Sequence, residues 1–591
     1  MPVSFFLRHT STMLRVVTTL FLLLLASPVV WSQQAKVPPY PAGAEHPSPA
    51  WFVDVARSAG LTVRNVNGSP THKKYIVEST GSGVAILDYD RDGWQDIFLV
   101  NGAELNGSGA SAPSNHLFHN NHDGTFTDVT AKVGLVSSGW GQGACVGDYD
   151  NDGFDDIFVT AYGKNRLFHN DGGSHFTEVA EQTGVAGSGK EWGTGCAFVD
   201  YDRDGRLDVI VANYVHFDLA TVPKPGDEAG CIWKGTPVMC GPRGLPSASN
   251  TLFHNDGTGK DGRMHFSNVS AKSGITKTDG HYCFSVTTLD YDEDGWPDIY
   301  VACDSTPSIL YRNRHDGTFS DEGSNVGVAF NEDGREQAGM GSTAADFDGD
   351  GHIDLFKTNF SDDTSTLYRS NGDGTYSDVT RTAGLAINTD ALGWGAMFVD
   401  VDNDGRPDLL IVNGHVYPEV DSAKLGSAFR EPRFLYWNAG DAKFKDLSKE
   451  SGPGLLEPLS GRGLAIADLW NDGRVSAVVN NLDDVPMLLV NRAANPNHWL
   501  GLHLVGTRSN RDAIGARVTV RASDRTWVDE VRSGSSYSSS SDLRLHFGLG
   551  SHNRIESVLV RWPNGESETF ADPAVDGIRE LREGSGKAVL H

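Results

Sequence analysis

"DYDRDGWQDIFLV", from Asp88 to Val100, places four aspartates around one glycine before the chain turns apolar. The same spacing, D-x-D-x-D-G-x-x-D, begins again at Asp148, Asp200, Asp290, Asp346 and Asp400. A seventh copy, "DLWNDGRVSAVVN" from Asp468, has lost two of the four aspartates. Repetition at a fixed register within one chain indicates a repeat architecture.

The acidic loop has the composition of a calcium site. Its first, third, fifth and ninth side chains can converge on one point, and its seventh residue offers a backbone carbonyl. Oxygen ligands in this number suit Ca²⁺, and the glycine at the sixth position permits the sharp turn. An EF-hand begins in the same way but continues into a helix, whereas apolar strand residues follow here. The sequence therefore predicts about six structural Ca²⁺ ions in hairpin loops.

The predicted calcium ligands, including the seventh-position residue of each loop, are Asp88, Asp90, Asp92, Trp94, Asp96, Asp148, Asp150, Asp152, Phe154, Asp156, Asp200, Asp202, Asp204, Arg206, Asp208, Asp290, Asp292, Asp294, Trp296, Asp298, Asp346, Asp348, Asp350, His352, Asp354, Asp400, Asp402, Asp404, Arg406 and Asp408. Without a cation, two carboxylates about 4 Å apart repel by roughly 4 kcal/mol at an effective dielectric near 20. Six ions of charge +2 would change the formal net charge from -28 to -16. The seventh loop has Trp470 and Ser476 in place of ligands, and we expect it to be empty.

Each repeat contains more than its loop. A run of small residues precedes the loop, as in "GSGVAILD" before Tyr89, and an apolar strand follows it. Then come an "LFHN"-type segment, as at Leu117, and an "FTDVTAKVGL"-type segment, as at Phe126. Short segments bounded by Gly, Asp and Asn turns read as four strands per repeat, which is typical of propeller blades.

The two ends of the repeat region are complementary. The last repeat lacks its final segment, whereas "FVDVARSAGL" (Phe52–Leu61) stands alone before the first repeat. A ring in which the N-terminal strand completes the last blade leaves no exposed sheet edge. The predicted fold is therefore all-β: a seven-bladed β-propeller over residues 51–497, closed by the N-terminal strand, with a small β-sandwich-like domain after it.

The amino-terminal sequence predicts export. Arg8 and Arg15 precede an apolar run from Val16 to Val30, so residues 1–32 read as a signal peptide; an uncleaved anchor is the alternative. A Pro-rich linker follows over 33–50, and no second stretch is long enough to span a membrane. We expect a secreted, periplasmic or cell-surface protein.

Six cysteines in an exported chain allow disulfides. Cys231 and Cys240 lie in one loop and are predicted to be bonded. Cys283 and Cys303 flank one acidic loop and form a further candidate pair. Cys145 and Cys196 are interpreted as buried thiols.

The repeats resemble FG-GAP/VCBS repeats, the calcium-loop blades of integrin alpha chains. "NHWLGLHLVGTRSNRDAIGARVTV" (497–520), "SGSSYSSSSDLRLHFGLG" (533–550) and "VRWPNGE" (560–566) are similar to the ASPIC/UnbV domain. Together they resemble the cartilage acidic protein-like family, in particular its bacterial branch, and the resemblance implies extracellular calcium binding and interaction. Strand alternation places this second domain at 498–572, with a tail at 573–591.

The insertions in the repeats predict where a ligand would bind. The segments 101–115, 214–249 and 414–432 lie between second and third strands, on the face opposite the calcium loops. Binding residues commonly lie on loops of a rigid scaffold. The predicted ligand-face residues are His72, Trp140, Trp192, His281, Trp394, His415 and Tyr417. The serine-rich stretch 533–542 has no nucleophile motif and is interpreted as a solvated loop.

Two functions remain open from the sequence. The first is an extracellular binding or adhesion module for a protein or glycan. The alternative is a carbohydrate-active enzyme, such as a polysaccharide lyase or a sugar dehydratase, with acid/base groups among His72, His281, His415 and Tyr417. A net charge of -28 argues against nucleic acid as a partner.

Overall fold

The computed structural model describes residues 48–104, 115–137, 139–228 and 231–589. The predicted signal peptide (1–32), residues 33–47 of the linker and residues 105–114 of the first insertion lie outside the described residues. The described chain is all-β and propeller-like, built mainly of four-stranded antiparallel sheets. None of its helices is long and apolar enough to cross a membrane.

Seven four-stranded sheets form the repeat region of the described chain. We number them by the acidic loop that each carries, from Asp88 to Asp468. The first is β2 (Val84–Leu87), β3 (Asp96–Leu99), β4 (His116–Asn120) and β5 (Phe126–Asp128). The second is β6 (Trp140–Gly147), β7 (Asp156–Tyr162), β8 (Arg166–Asn170) and β9 (Phe176–Glu178). The third is β10 (Gly193–Val199), β11 (Asp208–Asn213), β14 (Thr251–Thr258) and β15 (Met264–Asn268), interrupted by the insertion hairpin β12 (Ile232–Trp233) and β13 (Thr236–Pro237).

The remaining four sheets follow the same order. The fourth is β16 (Cys283–Leu289), β17 (Asp298–Cys303), β18 (Ile309–Asn313) and β19 (Phe319–Asp321). The fifth is β20 (Ser342–Ala345), β21 (Asp354–Lys357), β22 (Thr366–Ser370) and β23 (Tyr376–Asp378). The sixth is β24 (Gly393–Val399), β25 (Asp408–Asn413), β26 (Phe434–Gly440) and β27 (Lys443–Asp446). The seventh is β28 (Gly461–Ala467), β29 (Ser476–Asn481), β30 (Met487–Asn491) and β1 (Phe52–Asp54).

The described helices are single turns, and all but α5, which lies in the insertion of the sixth sheet, are on the connections between sheets. They are α1 (Ala56–Ala59), α2 (Ala180–Thr183), α3 (Ser270–Ser273), α4 (Gly323–Val326), α5 (Glu419–Ala423) and α6 (Pro453–Leu456), with 3-10 turns at Ile76–Ser79 and Ile275–Lys277. Helices this short cannot be stable alone, so packing on the outer strands holds them in place.

The N-terminal strand pairs with the last strand of the repeat region, as the sequence predicts. Phe52 lies opposite Asn491 in the antiparallel pair β1–β30. The first strand of each sheet contacts the first strand of the next, and β28 of the seventh sheet contacts β2 of the first. Gly463 N donates to Ser82 O at 3.2 Å across that last junction. These contacts join the last sheet of the repeat region to the first.

An asparagine at the same position of the repeat joins neighbouring sheets. In the first sheet, the Asn120 side chain donates to Leu469 O of the seventh sheet at 3.0 Å. Asn170, Asn255, Asn313, Asn438 and Asn491 make the same bond to the loop of the preceding sheet. Ser370 occupies this position in the fifth sheet. Each bond satisfies a buried carbonyl that no strand partner reaches.

All six cysteines are disulfide-bonded. Cys231–Cys240 is confirmed, and Cys283–Cys303 is also a bond. The interpretation of Cys145 and Cys196 as thiols is wrong, because these residues are bonded to each other. They lie on the first strands of the second and third sheets, whose contact brings their Cα atoms within 5.8 Å, a distance that suits a disulfide.

The C-terminal domain contains two sheets. A three-stranded sheet has the order β34 (Leu545–Gly550), β31 (His498–Val505) and β37 (Gly577–Arg582). A five-stranded sheet has the order β33 (Thr526–Glu530), β32 (Arg517–Arg521), β35 (Ser557–Arg561), β36 (Ser567–Ala571) and β38 (Lys587–Ala588). The prediction of a tail at 573–591 is wrong, because β37 pairs with β31 and β38 pairs with β36.

The serine-rich segment 533–542, between β33 and β34, enters the centre of the repeat region. Ser540 N donates to Val84 O in the first sheet at 2.8 Å, and Ala144 N in the second donates to Ser538 O at 3.2 Å. Ser342 N in the fifth sheet donates to Ser536 O at 3.1 Å. The interpretation as a solvated loop is wrong: small hydroxyl side chains let the segment fit between first strands and bond to their backbones.

Tyr537 is the one large side chain at the tip of this segment, and it is 0% exposed. Its ring lies edge-on to Trp394, with centroids 4.6 Å apart, and against Phe284 at 5.7 Å. Gly81 N donates to its hydroxyl oxygen at 3.2 Å. The ring of Tyr537 thus joins the C-terminal domain to the first, fourth and sixth sheets.

We predict that Tyr537→Ala lowers the free energy of unfolding by about 3–5 kcal/mol, because it leaves a cavity where several sheets meet. Tyr537→Phe is the matched control and should cost only about 1 kcal/mol, since it removes the hydrogen bond alone. Denaturant unfolding of both variants measures the difference. Equal stabilities for the alanine variant and the parent would show that the segment does not anchor the domain.

Candidate functional site

The acidic loops share one hydrogen-bonding scheme, shown here for the first. Gly93 N donates to Asp88 Oδ2 at 2.8 Å and closes the turn. Tyr89 N donates to Asp96 Oδ2 at 3.2 Å, and Asn120 N donates to Asp96 Oδ1 at 2.8 Å. The ninth-position aspartate therefore ties the loop to the third strand. The other five complete loops repeat all three bonds.

Two left-handed residues give the loop its curl. In the first loop they are Arg91, with φ 59°, and Gly93, with φ 89°. The fourth and sixth positions have positive φ in all seven loops. This alternation turns the first, third and fifth side chains inward. A non-glycine residue at positive φ carries a steric cost, so the turn must be held by its surroundings.

The turned-in carboxylates converge. One oxygen from each of Asp88, Asp90 and Asp96 lies within 4.8 Å of the others, and the second loop repeats this grouping with Asp148, Asp150 and Asp156. In four aspartates of these loops a buried Oδ1 has no hydrogen-bond partner: Asp90, Asp202, Asp290 and Asp292. The side chain of Asp290 is only 7% exposed. Buried oxygens left without a donor fit a cation in the loop.

Burial and mutual repulsion disfavour ionised carboxylates in the bare loops. Burial raises the pKa of Asp88 to about 6, and the neighbouring Asp92 and Asp90 add to it. Burial also raises the pKa of Asp96 to about 7. In the third loop, burial and then Asp208 raise the pKa of Asp200 to about 8. A bound cation would reverse both causes by favouring the charged form.

The seventh loop keeps the turn without the ligand set. Gly473 N still donates to Asp468 Oδ2 at 2.8 Å. Trp470 and Ser476, both buried, stand at the third and ninth positions. Asp472 is paired with Arg474 at 2.6 Å. That this loop holds no ion stays a prediction.

Neighbouring loops contact one another through their fourth positions. Asn471 in the seventh loop donates to Gly93 O in the first at 2.9 Å, and Asn151 in the second donates to Gly205 O in the third at 3.0 Å. Four of the remaining five fourth-position residues also contact the following loop. The contacting pairs are Arg91–Phe154, Arg203–Trp296, Glu293–His352 and Asn403–Gly473. Gly349 in the fifth loop has no side chain for this contact. The loops therefore form one connected layer.

The C-terminal domain lies on this layer. Asp148 N in the second loop donates to Asp512 Oδ2 at 2.6 Å. Arg517 donates to Gly351 O in the fifth loop at 2.7 Å, and Gly550 N donates to Asn403 O in the sixth at 2.7 Å. Arg561, Arg544 and Arg525 bond to the fourth, seventh and sixth loops. The domain therefore contacts the second, fourth, fifth, sixth and seventh acidic loops.

The insertion 214–249 crosses the opposite face. Its hairpin β12–β13 lies between Cys231 and Cys240, which are bonded. The Trp233 ring lies 4.8 Å from that of His415, after the second strand of the sixth sheet. Lys234 Nζ donates to Leu425 O at 3.0 Å. An insertion of the third sheet thus reaches loops of the sixth, on the far side of the repeat region.

Most of the predicted ligand-face residues are not presented to solvent. Trp192 and His415 are 0% exposed. Trp140, Trp394 and Tyr417 are also buried, and all but His415 lie in one hydrophobic cluster. Their placement on a binding surface is therefore wrong, because first strands and insertions pack over them. His72 is exposed, and His281 is half-buried with Nδ1 2.9 Å from Pro307 O.

A signal that the sequence analysis missed is the third letter of the "LFHN" segments. Its side chains lie against the acidic loops: His119 Nδ1, for example, is 3.5 Å from Asp90 Oδ2. The corresponding residues of the next five sheets are His169, His254, Arg312, Arg369 and Trp437. Their fixed register in the repeat was visible in the sequence, although their contact with the loop was not.

His415 is held in its neutral form. Tyr417 N donates to its Nδ1 at 3.1 Å, so the ring proton lies on Nε2, which is 3.2 Å from Ser361 Oγ. Burial lowers the pKa of His415 to about 3, and the positive charges of Arg462 and Lys234 act in the same direction.

We predict that His415 makes stability depend on pH. The unfolded chain protonates this histidine below about pH 6.5, whereas the folded chain does not until about pH 3. The free energy of unfolding therefore falls as pH falls, by about 1.4 kcal/mol per unit within that window. His415→Asn keeps an acceptor for Tyr417 N and should lose less stability than the parent between pH 7 and pH 5 in urea unfolding. Equal losses would contradict the assignment.

Two protein-family models match the chain. The ASPIC and UnbV model covers residues 506–588. The FG-GAP-like repeat model covers residues 88–159, 148–211, 290–357 and 346–411, which include all six complete acidic loops.

The chain is also similar to curated proteins. It is 26% identical over 405 residues to cartilage acidic protein 1 of Homo sapiens, covering 66% of this chain and 53% of that protein. It is 25% identical over 403 residues to the Mus musculus protein, with 66% and 54% covered. The chain thus spans about half the length of the curated relatives it matches.

Among solved structures, the BP39L lectin from Burkholderia pseudomallei matches with a TM-score of 0.42 and 11% identity, over 70% of this chain and 97% of the lectin. A likeness at this level carries no argument about the ligand.

Proposed function

Because the chain belongs to the cartilage acidic protein-like family, with FG-GAP repeats followed by an ASPIC/UnbV domain, we propose that it is an extracellular calcium-binding module for a protein or glycan partner. The observation that carries the proposal is the set of six complete acidic loops, three of which hold buried aspartate oxygens without a hydrogen-bond partner. The partner class follows from the surfaces of the repeat region that the C-terminal domain leaves exposed.

The proposed scaffold is a seven-bladed propeller closed by its N-terminal strand. Seven four-stranded sheets and the β1–β30 pair support it. The contact between β28 and β2 and the Asn120–Leu469 bond also support it, because both join the last sheet to the first. A closed ring would leave its loops free to carry function.

Calcium is the proposed ion of the six complete loops. The first, third, fifth and ninth aspartates and the seventh carbonyl would hold it, as in the set Asp88, Asp90, Asp92, Trp94 and Asp96. Bound calcium supplies positive charge that links the first and second strands of a blade. The chain contributes oxygen ligands, a turn fixed by two left-handed residues, and a ninth aspartate bonded to the third strand.

The proposed binding surface is the face that bears the insertions. The C-terminal domain lies on the opposite face, and segment 533–542 occupies the centre. What remains for a large partner is the outer surface of the insertions, where Ile232 is 48% exposed and Leu219 is 38% exposed. A surface that mixes apolar and charged side chains suits a protein or a glycan.

Location outside the cytosol is part of the proposal. Three disulfides bond every cysteine, and such bonds persist in oxidising compartments. The predicted signal peptide at 1–32 agrees with this. Secretion, a periplasmic site and a cell-surface site all fit.

We predict that chelation lowers the melting temperature. At a free calcium concentration 100 times a site's Kd, each filled site adds about 2.7 kcal/mol to the free energy of unfolding. The protein should therefore melt well below its calcium-saturated temperature in EGTA and recover with Ca²⁺. An unchanged melting temperature would refute structural calcium.

Stoichiometry provides a matched control. Equilibrium dialysis should find about six ions per chain, the number of complete loops. Asp204→Asn removes a ligand from the third loop and should reduce the number by one. Asp472→Asn, at the same position of the seventh loop, should not change it.

We predict saturable binding to a member of a glycan and protein array, lost after chelation because the loops hold the blades in register. Turnover of a uronic-acid glycan that disappears in His281→Ala would instead favour the carbohydrate-active enzyme. His415 is fully buried with both ring nitrogens engaged, so it is a poor acid/base candidate. Binding that survives EGTA unchanged would separate recognition from calcium.

A further inference from the structure

In each of the first six sheets, the third strand places one side chain against the acidic loop of the same sheet. In the second sheet His169 Nδ1 lies 3.6 Å from Asp150 Oδ2, and in the third His254 Nδ1 lies 3.6 Å from Asp202 Oδ2. His119 makes the equivalent contact in the first sheet. Three loops therefore have an imidazole at this position.

The next three loops have a different donor. Arg312 Nε donates to Asp292 Oδ2 at 2.8 Å in the fourth sheet. In the fifth, Arg369 bonds to Asp348 Oδ2, and its Nη2 is 2.9 Å from Asp350. In the sixth, the indole nitrogen of Trp437 donates to Asp402 Oδ2 at 3.0 Å.

In the fourth, fifth and sixth sheets the donor bonds to the Oδ2 of the third-position aspartate. The histidines also approach this atom, but His169 and His254 bond to the ninth-position aspartate, at 3.2 and 3.0 Å. In the fourth sheet Arg312 thus holds one oxygen of Asp292, while the other, Oδ1, is buried without a hydrogen-bond partner. Outer contacts of this kind orient a metal ligand and tune the site.

The seventh sheet has lost both partners together. Trp470 replaces the third-position aspartate, and Val490 replaces the donor on the third strand. Both side chains are buried. A donor that is missing where its carboxylate is missing belongs functionally to the loop.

We propose that this third-strand residue is a positioning residue for the metal loop, and that its charge sets the affinity of the loop. The inference rests on the proposed calcium binding. Arg312 and Arg369 are always cationic, whereas the indole of Trp437 is neutral. A fixed unit charge a few ångströms from a divalent cation weakens binding about tenfold even when water screens it. A neutral donor in place of Arg312 or Arg369 therefore tightens calcium binding by the fourth or fifth loop.

The test uses the full-length chain, stripped with a chelator and titrated with Ca²⁺ at pH 8 against a fluorescent calcium chelator. Arg312→Gln with Arg369→Gln removes the fixed charge but keeps an amide donor, and should tighten two of the parent's sites about tenfold. Trp437→Phe removes a donor without changing charge and should weaken one site. Arg314→Gln, an exposed arginine two residues beyond Arg312, is the control and should change nothing.

The outcomes separate this inference from the calcium proposal. A parent that binds no calcium refutes both. Glutamine variants whose calcium affinities stay the same or fall refute the positioning role and leave calcium binding in place. Denaturant unfolding in EGTA measures any purely structural contribution of the arginines, which would shift stability without shifting calcium affinity.

Discussion

Crowding of buried carboxylates into nine residues is the constraint on which the rest of the structure depends. Each complete loop must hold four aspartates close together, and their repulsion has to be balanced. The chain achieves part of this balance with backbone N–H groups, such as Gly93 N on Asp88 and Asn120 N on Asp96. Some of the inward carboxylate oxygens still lack a hydrogen-bond donor. A space lined by such oxygens and surrounded by fixed donors suits a hard cation.

The same loops organise the molecule beyond their own sheets. Asn471 connects the seventh loop to the first, and Asp512 brings the C-terminal domain onto the second. Tyr537 of the C-terminal domain packs in the aromatic cluster around Trp394. Loop layer, C-terminal domain and central segment are therefore joined by direct contacts.

Much of the fold could be predicted from the sequence because it follows from periodicity. The orphan segment at Phe52 and the missing final segment after Asn491 predict the pairing that the structure shows. The segment 533–542 could not be interpreted correctly, since small hydroxyl residues suit both solvent and a narrow space between backbones. The interpretation of Cys145 and Cys196 as thiols was wrong for a related reason: their proximity depends on contacts between sheets, which a linear pattern does not contain. The prediction that His415 lies on a binding surface was wrong because insertions cover this residue.

The pairing of Phe52 with Asn491 and the insertion of Tyr537 near Gly81 have a consequence for biogenesis. The earliest strand to emerge has no partner until more than four hundred further residues follow, and the centre is filled only by a segment later still. Contacts so distant in sequence fold slowly. In the proposed export, β1 would stay unpaired beyond the membrane until the seventh sheet follows, so translocation of nearly the whole repeat region would precede completion of the fold.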